Sequence, residues 1–295
     1  MARETLVHWT WLVYLEMFVA GTAAGAYVTA TILEVLGRGR SPLVRTAHLI
    51  AFPLMALAGL LLIVDLQRPE RFWHMLIQSQ RLVPMLKWWS PMSMGSWALL
   101  IFGFFAFVSF IDGLVATDQI HLFGWRSPRT LHGGRLGLLW SVLGGAAAFF
   151  VAGYSGVLLN VTNIPGWRDS PLIGGLYVAT AAATGMAAVL LIRLTRDRVG
   201  PDEVDLERAN TLAVVWQLVC LVLFLVTAGS SAGLFLSGLP LLATVMAVIL
   251  VLIALLFRTI FRTRNPPAGV FAALLILLGG FLVRYAVVIG PQQYG

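Results

Sequence analysis

Charge is what this chain has least of. Asp, Glu, Lys and Arg make up 11% of its 295 residues, against about 25% in an ordinary soluble domain. That is too little to solvate a globular surface, so a water-soluble fold is excluded. Cysteine is nearly absent, with Cys220 alone. One thiol makes no internal disulfide, and there is no Cys cluster to hold an iron–sulfur centre or zinc. Histidine is sparse as well. His48 is the only one well inside an apolar run, and a haem held across two helices wants one ligand from each. A cytochrome b-type subunit is therefore disfavoured. No cleavable signal peptide is expected in the first apolar run either. The apolar core of such a peptide would run about 7–15 residues behind a basic segment, whereas the first run here is longer and contains Glu16.

Apolar sequence fills the rest. The hydrophobic fraction is 59% and the mean hydropathy +0.88. A helix crossing the roughly 30 Å bilayer core needs about 20 apolar residues. Such runs occur at 9–36, 43–64, 91–115, 137–159, 172–194, 211–236, 239–257 and 268–290. They predict an all-α, polytopic membrane bundle of about eight transmembrane helices, forming a single integral membrane domain over 1–295. Loops carrying Pro, Gly and charge separate the runs, as at Arg68-Pro69-Glu70-Arg71 and Asn265-Pro266-Pro267.

An even number of spans puts both termini on one side. With the termini lie Arg3, Arg68, Arg71, Arg81, Lys87, Arg168 and Arg284; the other 13 of the 20 basic residues fall at the opposite ends. Basic residues are retained in the cytoplasm, so both termini are expected on the outer, periplasmic side. The net charge of +7 is then a topological excess that also suits anionic lipid. It calls for no nucleic acid.

Polar residues gather near the outer ends of several spans. The first brings His8, Trp9, Trp11, Tyr14 and Glu16; Asp65 closes the second, before Arg68 and Arg71. Tyr154 lies near the outer end of the fourth, followed by Asn160 and Asn163, and the eighth brings Arg284 and Tyr285. Each has a bland reading. Trp and Tyr form interfacial belts, Arg near a span end snorkels, and Asp65 can cap its helix and pair with Arg68 or Arg71. Glu16 fits the bland reading least, because it lies deeper than its neighbours, and ionisable residues within spans default to function. Runs of small residues, such as Gly21 to Ala26 and Gly144 to Ala148, mark close helix packing.

Four stretches then stand out in order: Tyr14-Leu15-Glu16 through Gly25; Asp65-Leu66-Gln67-Arg68-Pro69-Glu70-Arg71-Phe72; Ser90-Pro91-Met92-Ser93-Met94-Gly95-Ser96-Trp97; and Tyr154-Ser155-Gly156-Val157-Leu158-Leu159. In these the chain resembles the NrfD/PsrC family of quinone-binding membrane subunits from polysulfide-reductase-like complexes. The likeness is strong over 9–194 and loose over the last three spans. It implies an eight-helix subunit without haem or iron–sulfur centre of its own. Such a subunit exchanges electrons between menaquinone or ubiquinone and an iron–sulfur partner on the outer face of the inner membrane, with a further catalytic subunit beyond. By resemblance, Glu16 and Tyr154 face the quinone. The family often has His at the first of these positions, and Ser155 stands where Thr is usual.

The chemistry of these residue types agrees. A quinone site needs an apolar slot, a hydrogen-bond donor and a proton acceptor. Tyr154 supplies the donor and Glu16 the acceptor. Asp65 or His8 serves as a relay to outer water, with Tyr14 and Arg68 beside the site. A second reading is a proton channel or transporter, drawing on His48, Glu34 and Asp112 toward the inner side and on Thr22 and Thr29 between. Matching broken helices in two inverted halves are not evident in the sequence. The orientation is directly testable. Reporter fusions after Gly39, Gly124, Gly200 and Asn265 are expected to report cytoplasm, and fusions at Gln80 and Gly166 the outer face. A cytoplasmic signal at Gln80 would reverse the topology.

Overall fold

The computed structural model describes residues 9–66, 68–78, 80, 83–115, 134–196, 200–261 and 265–294. Among these, eight helices are long and apolar enough to cross a membrane. They are α1 (Trp11–Val35), α2 (Pro42–Asp65), α3 (Pro91–Val115), α4 (Arg135–Asn160), α5 (Ile173–Leu194), α6 (Pro201–Thr227), α7 (Gly238–Phe261) and α8 (Pro266–Ile289). Thr10 and Ser41 start α1 and α2 by accepting the N–H groups of Leu12 and Leu43. Proline occupies the first turn of α2, α6 and α8, where its missing N–H costs nothing. Between α2 and α3 lie a 3-10 turn, Pro69–Met75, and a minimal hairpin of β1 (Ile77–Gln78) and β2 (Val83–Pro84).

Seven helices fall within a few residues of their predicted positions. The sixth is a correction. Expected at 211–236, it runs Pro201–Thr227. Its charged start reads as loop, yet the acids of its first turn have work within a helix. Asp202 and Glu203 lie against the positive end of the helix. Glu203 accepts the Gly200 N–H at 2.9 Å and pairs with Arg193 of α5 at 2.8 Å. At the far end Gly229 adopts φ +56°, and a 3-10 turn, Gly229–Leu234, replaces the predicted helix.

Hydrogen bonds show which helix ends lie together. At one end the Thr10 hydroxyl donates to Asp65, Tyr154 to the Pro91 carbonyl, and the Trp167 indole to the Val287 carbonyl at 2.7 Å. The Trp9 N–H donates to Gln292 at 2.9 Å, so both described terminal segments meet at this end. In the loop between α4 and α5, Asp169 accepts from the Ser231 hydroxyl and the Gly166 N–H, which hold its carboxyl below the usual carboxylate range. At the opposite end Arg38 pairs with Asp205 at 2.8 Å and Ser41 donates to Asp202 at 2.6 Å.

The helices form two groups joined along α1 and α5. Helix α1 packs on α2, α4, α5 and α8; helix α5 packs on α4, α6 and α8 as well. The seam between α1 and α5 is backbone on backbone. A Cβ on Gly25 would lie 1.8 Å from the Ala181 carbonyl oxygen, and one on Gly185 would lie 2.2 Å from the Gly25 carbonyl carbon. Similarly, a Cβ on Gly156 of α4 would meet Gly174 of α5 at 2.7 Å. Lipid supplies no hydrophobic force between helices, so association rests on such close fits. Gly25→Val is therefore expected to lower the thermal midpoint of the purified protein, read as exposure of the buried Cys220 thiol to a fluorogenic reagent. Gly59→Ala, where nothing stands within 4 Å of the added Cβ, is expected to leave it unchanged.

Candidate functional site

The first helix is the most buried of the eight, which places Glu16 inside the bundle. Its residue is 6% exposed, and among the described residues nothing hydrogen-bonds its carboxylate. It lies within electrostatic range of Tyr154 on α4, Tyr177 on α5 and Arg284 on α8. Four helices thus direct ionisable groups to one region at the Trp11 end of α1. A buried carboxylate without a hydrogen bond is costly, and such a group is available to take or give a proton.

Tyr154 is held by the third helix. Its ring rests on Gly95, where a Cβ would lie 2.3 Å from the ring carbon Cζ and the hydroxyl oxygen. Its hydroxyl donates to the Pro91 carbonyl, in the first turn of α3. Phe150, one turn earlier on α4, stacks against it at 5.9 Å and 21°. Phe150 also borders an apolar cleft of about 490 Å³, lined by Pro84, Leu86, Met94, Trp97, Ala98, Ile101 and Ala147. The cleft opens at the flank of the bundle, where Leu86, Ile101 and Phe150 are exposed. The indole of Trp97 donates to the Met85 carbonyl at 3.1 Å, tying the loop after β2 to α3 over the cleft.

The other predicted site residues are spread more widely. Asp65 accepts from Thr10 of α1, so it bridges two helices instead of pairing with Arg68 or Arg71. Arg71 lies 3.9 Å from Glu70. Arg68 is exposed at the start of the 3-10 turn outside α2. Tyr14 packs edge-on against Tyr285 at 5.2 Å and Phe281 at 6.0 Å, both on α8. Two residues along a helix amount to about 200° of rotation, so Tyr14 and Glu16 leave α1 on nearly opposite sides. His8 lies outside the described residues.

Sequence reading missed two partners of the site, Tyr177 and Gly95, and misjudged the depth of a third, Arg284. Tyr177 drew no notice in an Ala-rich span, yet it is fully buried and its hydroxyl meets the Met17 sulfur at 3.9 Å. Gly95 is the seat of Tyr154. Arg284, expected near the surface, is 1% exposed. A full charge inside an otherwise apolar span was the available signal. At the opposite end, the inner residues of the transporter reading also meet. Glu34 lies 3.9 Å from His48 and accepts from the Ser141 hydroxyl; the Tyr27 and Ser109 hydroxyls bond at 3.0 Å. Asp112 is buried nearby on α3. Thr22 donates to Thr184 of α5 at 3.1 Å and Thr29 to the Gly25 carbonyl at 2.7 Å. Both are satisfied within the helix packing.

Eight apolar helices with buried ionisable groups define a multi-pass membrane protein. Comparison with known proteins gives the family. The family model described as "Polysulphide reductase, NrfD" matches residues 2–294, and the protein belongs to this family, whose members are generally membrane-anchor subunits of oxidoreductase complexes. It is 30% identical over 196 residues to the C subunit of polysulfide reductase from Wolinella succinogenes. That match takes in 64% of the present sequence and 59% of the relative's own length. Protein NrfD of Escherichia coli K12 is 25% identical over 243 residues, 76% of the present sequence and 72% of that relative. The seat of Tyr154 yields a test. Gly95→Ala is expected to lower the thermal midpoint, and by less in a Tyr154→Ala background than in the wild type. Equal effects in both backgrounds would separate the two residues.

Proposed function

We propose that this protein is the membrane-anchor and quinone-binding subunit of a respiratory oxidoreductase complex in a bacterial or archaeal inner membrane. It works as one membrane domain over 1–295, with both termini on the periplasmic side. Electrons pass between membrane menaquinone or ubiquinone and an iron–sulfur subunit docked on the outer face, with a catalytic subunit beyond. The observation that carries this reading is a buried acid, Glu16, within electrostatic range of a phenol, Tyr154, whose ring stacks on Phe150 at the edge of an apolar cleft open at the flank of the bundle.

The residues suit the substrate. A quinone has a flat polar head and an apolar tail. The cleft beside Phe150 offers apolar wall for the tail, and few polar groups are needed to orient the head. The Tyr154 hydroxyl donates to a head-group oxygen in place of the Pro91 carbonyl. Glu16 exchanges the proton. Oxidising one quinol to quinone releases two protons and two electrons. The protons leave through Glu16 and then Asp65 with Thr10 toward outer water, and the electrons go to the iron–sulfur partner. Reduction of quinone runs the same steps backward. His8, Tyr14 and Arg68 stand at the margin of this route. Exposed Trp88 and Trp89, with Arg68 and Arg71 in the loop between α2 and α3, supply a surface for the partner.

The inner cluster of Glu34, His48 and Asp112 favours a second reading, a proton path through the bundle without quinone chemistry. Co-purification separates the two, because a quinone subunit comes with an iron–sulfur protein. Site variants separate them again. Tyr154→Phe removes one donor, worth about 0.5–1.5 kcal/mol and more if a partner is left buried. Quinol turnover is expected to fall, while reduction of the partner by a soluble artificial donor persists. Glu16→Gln is expected to slow turnover and flatten its pH dependence. Wild-type rate and pH profile from both assembled variants would move the site elsewhere.

A further inference from the structure

The most buried charged side chain among the described residues has no step assigned to it in the proposed turnover. Arg284 sits inside α8 at 1% exposure. Such an ion in a membrane span is expensive and marks function. Its Nη2 donates to the Tyr177 carbonyl at 3.1 Å, and its guanidinium lies 4.4 Å above the centre of the Tyr177 ring. Cation–π contact of this kind holds a charge in place without neutralising it. Nε and Nη1 are buried without a hydrogen-bond partner. The first helix makes room for the group. A Cβ on Gly21 would lie 2.3 Å from Nη2 and 2.8 Å from the guanidinium carbon. Met17, one turn before Gly21, touches the Tyr177 hydroxyl. Glu16 immediately precedes Met17.

Here, then, is a fixed cation with two unused donor nitrogens, and a carboxylate with no hydrogen bond, at the same end of α1. No ion pair within 4 Å joins them. The other titratable groups on helices packed around α1 at this end are Asp65 on α2, Tyr154 on α4, Tyr177 on α5 and Tyr285 on α8. Among the described residues, Arg284 is the one cation in the set.

We infer that Arg284 is a positioning residue for the proton step, a fixed counter-charge that keeps Glu16 ready to accept a proton in the apolar interior. Tyr177 and Gly21 hold it in this arrangement. The charge is set back from Glu16 instead of contacting it. Glu16 can therefore lose its charge when it takes a proton without leaving behind a broken ion pair, as removal of one member of a contact pair would. The assignment rests on the quinone reading for its role in turnover, but the electrostatic coupling stands apart from it.

The test uses the assembled complex in native membranes for turnover and the purified complex for thermal stability. Arg284→Gln is expected to slow quinol turnover roughly tenfold near neutrality. It is also expected to move the acidic limb of the pH profile about one unit toward alkaline pH, because a carboxylate that has lost a nearby cation is harder to ionise. Arg284→Lys keeps the charge and is expected to restore most of the rate and the profile. In thermal midpoint, the double variant Glu16→Gln with Arg284→Gln is expected to lose less than the sum of the single losses. Additive midpoints, or a wild-type profile in Arg284→Gln, would overturn the inference. If Arg284→Gln fails to assemble, the Arg284→Lys profile and the double variant decide. Coupled midpoints with normal turnover in Glu16→Gln would instead overturn the quinone reading and leave the charge coupling standing.

Discussion

The close approach of α1 and α5 at Gly25, Ala181 and Gly185 is the contact on which the rest of the structure depends. Side chains larger than hydrogen at the two glycines would drive the backbones apart. With glycine there, α1 is enclosed by α2, α4, α5 and α8, and one face after another of this helix becomes interior. In a bilayer the gain comes from fit and not from water exclusion, so the fit must be good. The same seam sets what can happen further along. Once α1 is central, an acid placed on it is carried out of reach of solvent, and residue 16 is such an acid.

Burial of that acid constrains its neighbours. Charge in a low-dielectric interior must be compensated or neutralised. The bundle answers with a phenol on α4, a phenol on α5 and a guanidinium on α8, each from a different helix. Their supports are glycines. Gly95 seats Tyr154, Gly21 makes space for Arg284, and Gly156 lets α4 come close to α5. The small residues that read as mere packing in the sequence are thus also the mould in which the polar groups are set. At the opposite end the charges are handled in the ordinary way, by direct pairs such as Arg193 with Glu203 and Arg38 with Asp205.

The helices were legible because the bilayer demands long apolar runs and the sequence has little else. Glu16 and Tyr154 were legible because polar groups are conspicuous in such runs. The start of α6 was not, because Asp202, Glu203, Asp205 and Glu207 look like a solvated loop until their partners on other segments are known. Arg284 was visible as a residue but not as a buried one. An arginine near a span end ordinarily snorkels, and only the notch at Gly21 and the ring of Tyr177 show that this one turns inward. The bland reading of Asp65 paired it with basic neighbours in sequence, whereas its partner is the Thr10 hydroxyl, 55 residues away.

The central claim is that the Trp11 end of α1, with α3 and α4, receives the quinone head. Photoaffinity labelling of the assembled complex in native membranes with an azidoquinone tests it most directly. The account predicts label on peptides containing Glu16, Tyr154 or the cleft residues Trp97 and Phe150, diminished by excess natural quinone. Competable label confined to α6 and α7, with none on α1, α3 or α4, would contradict it.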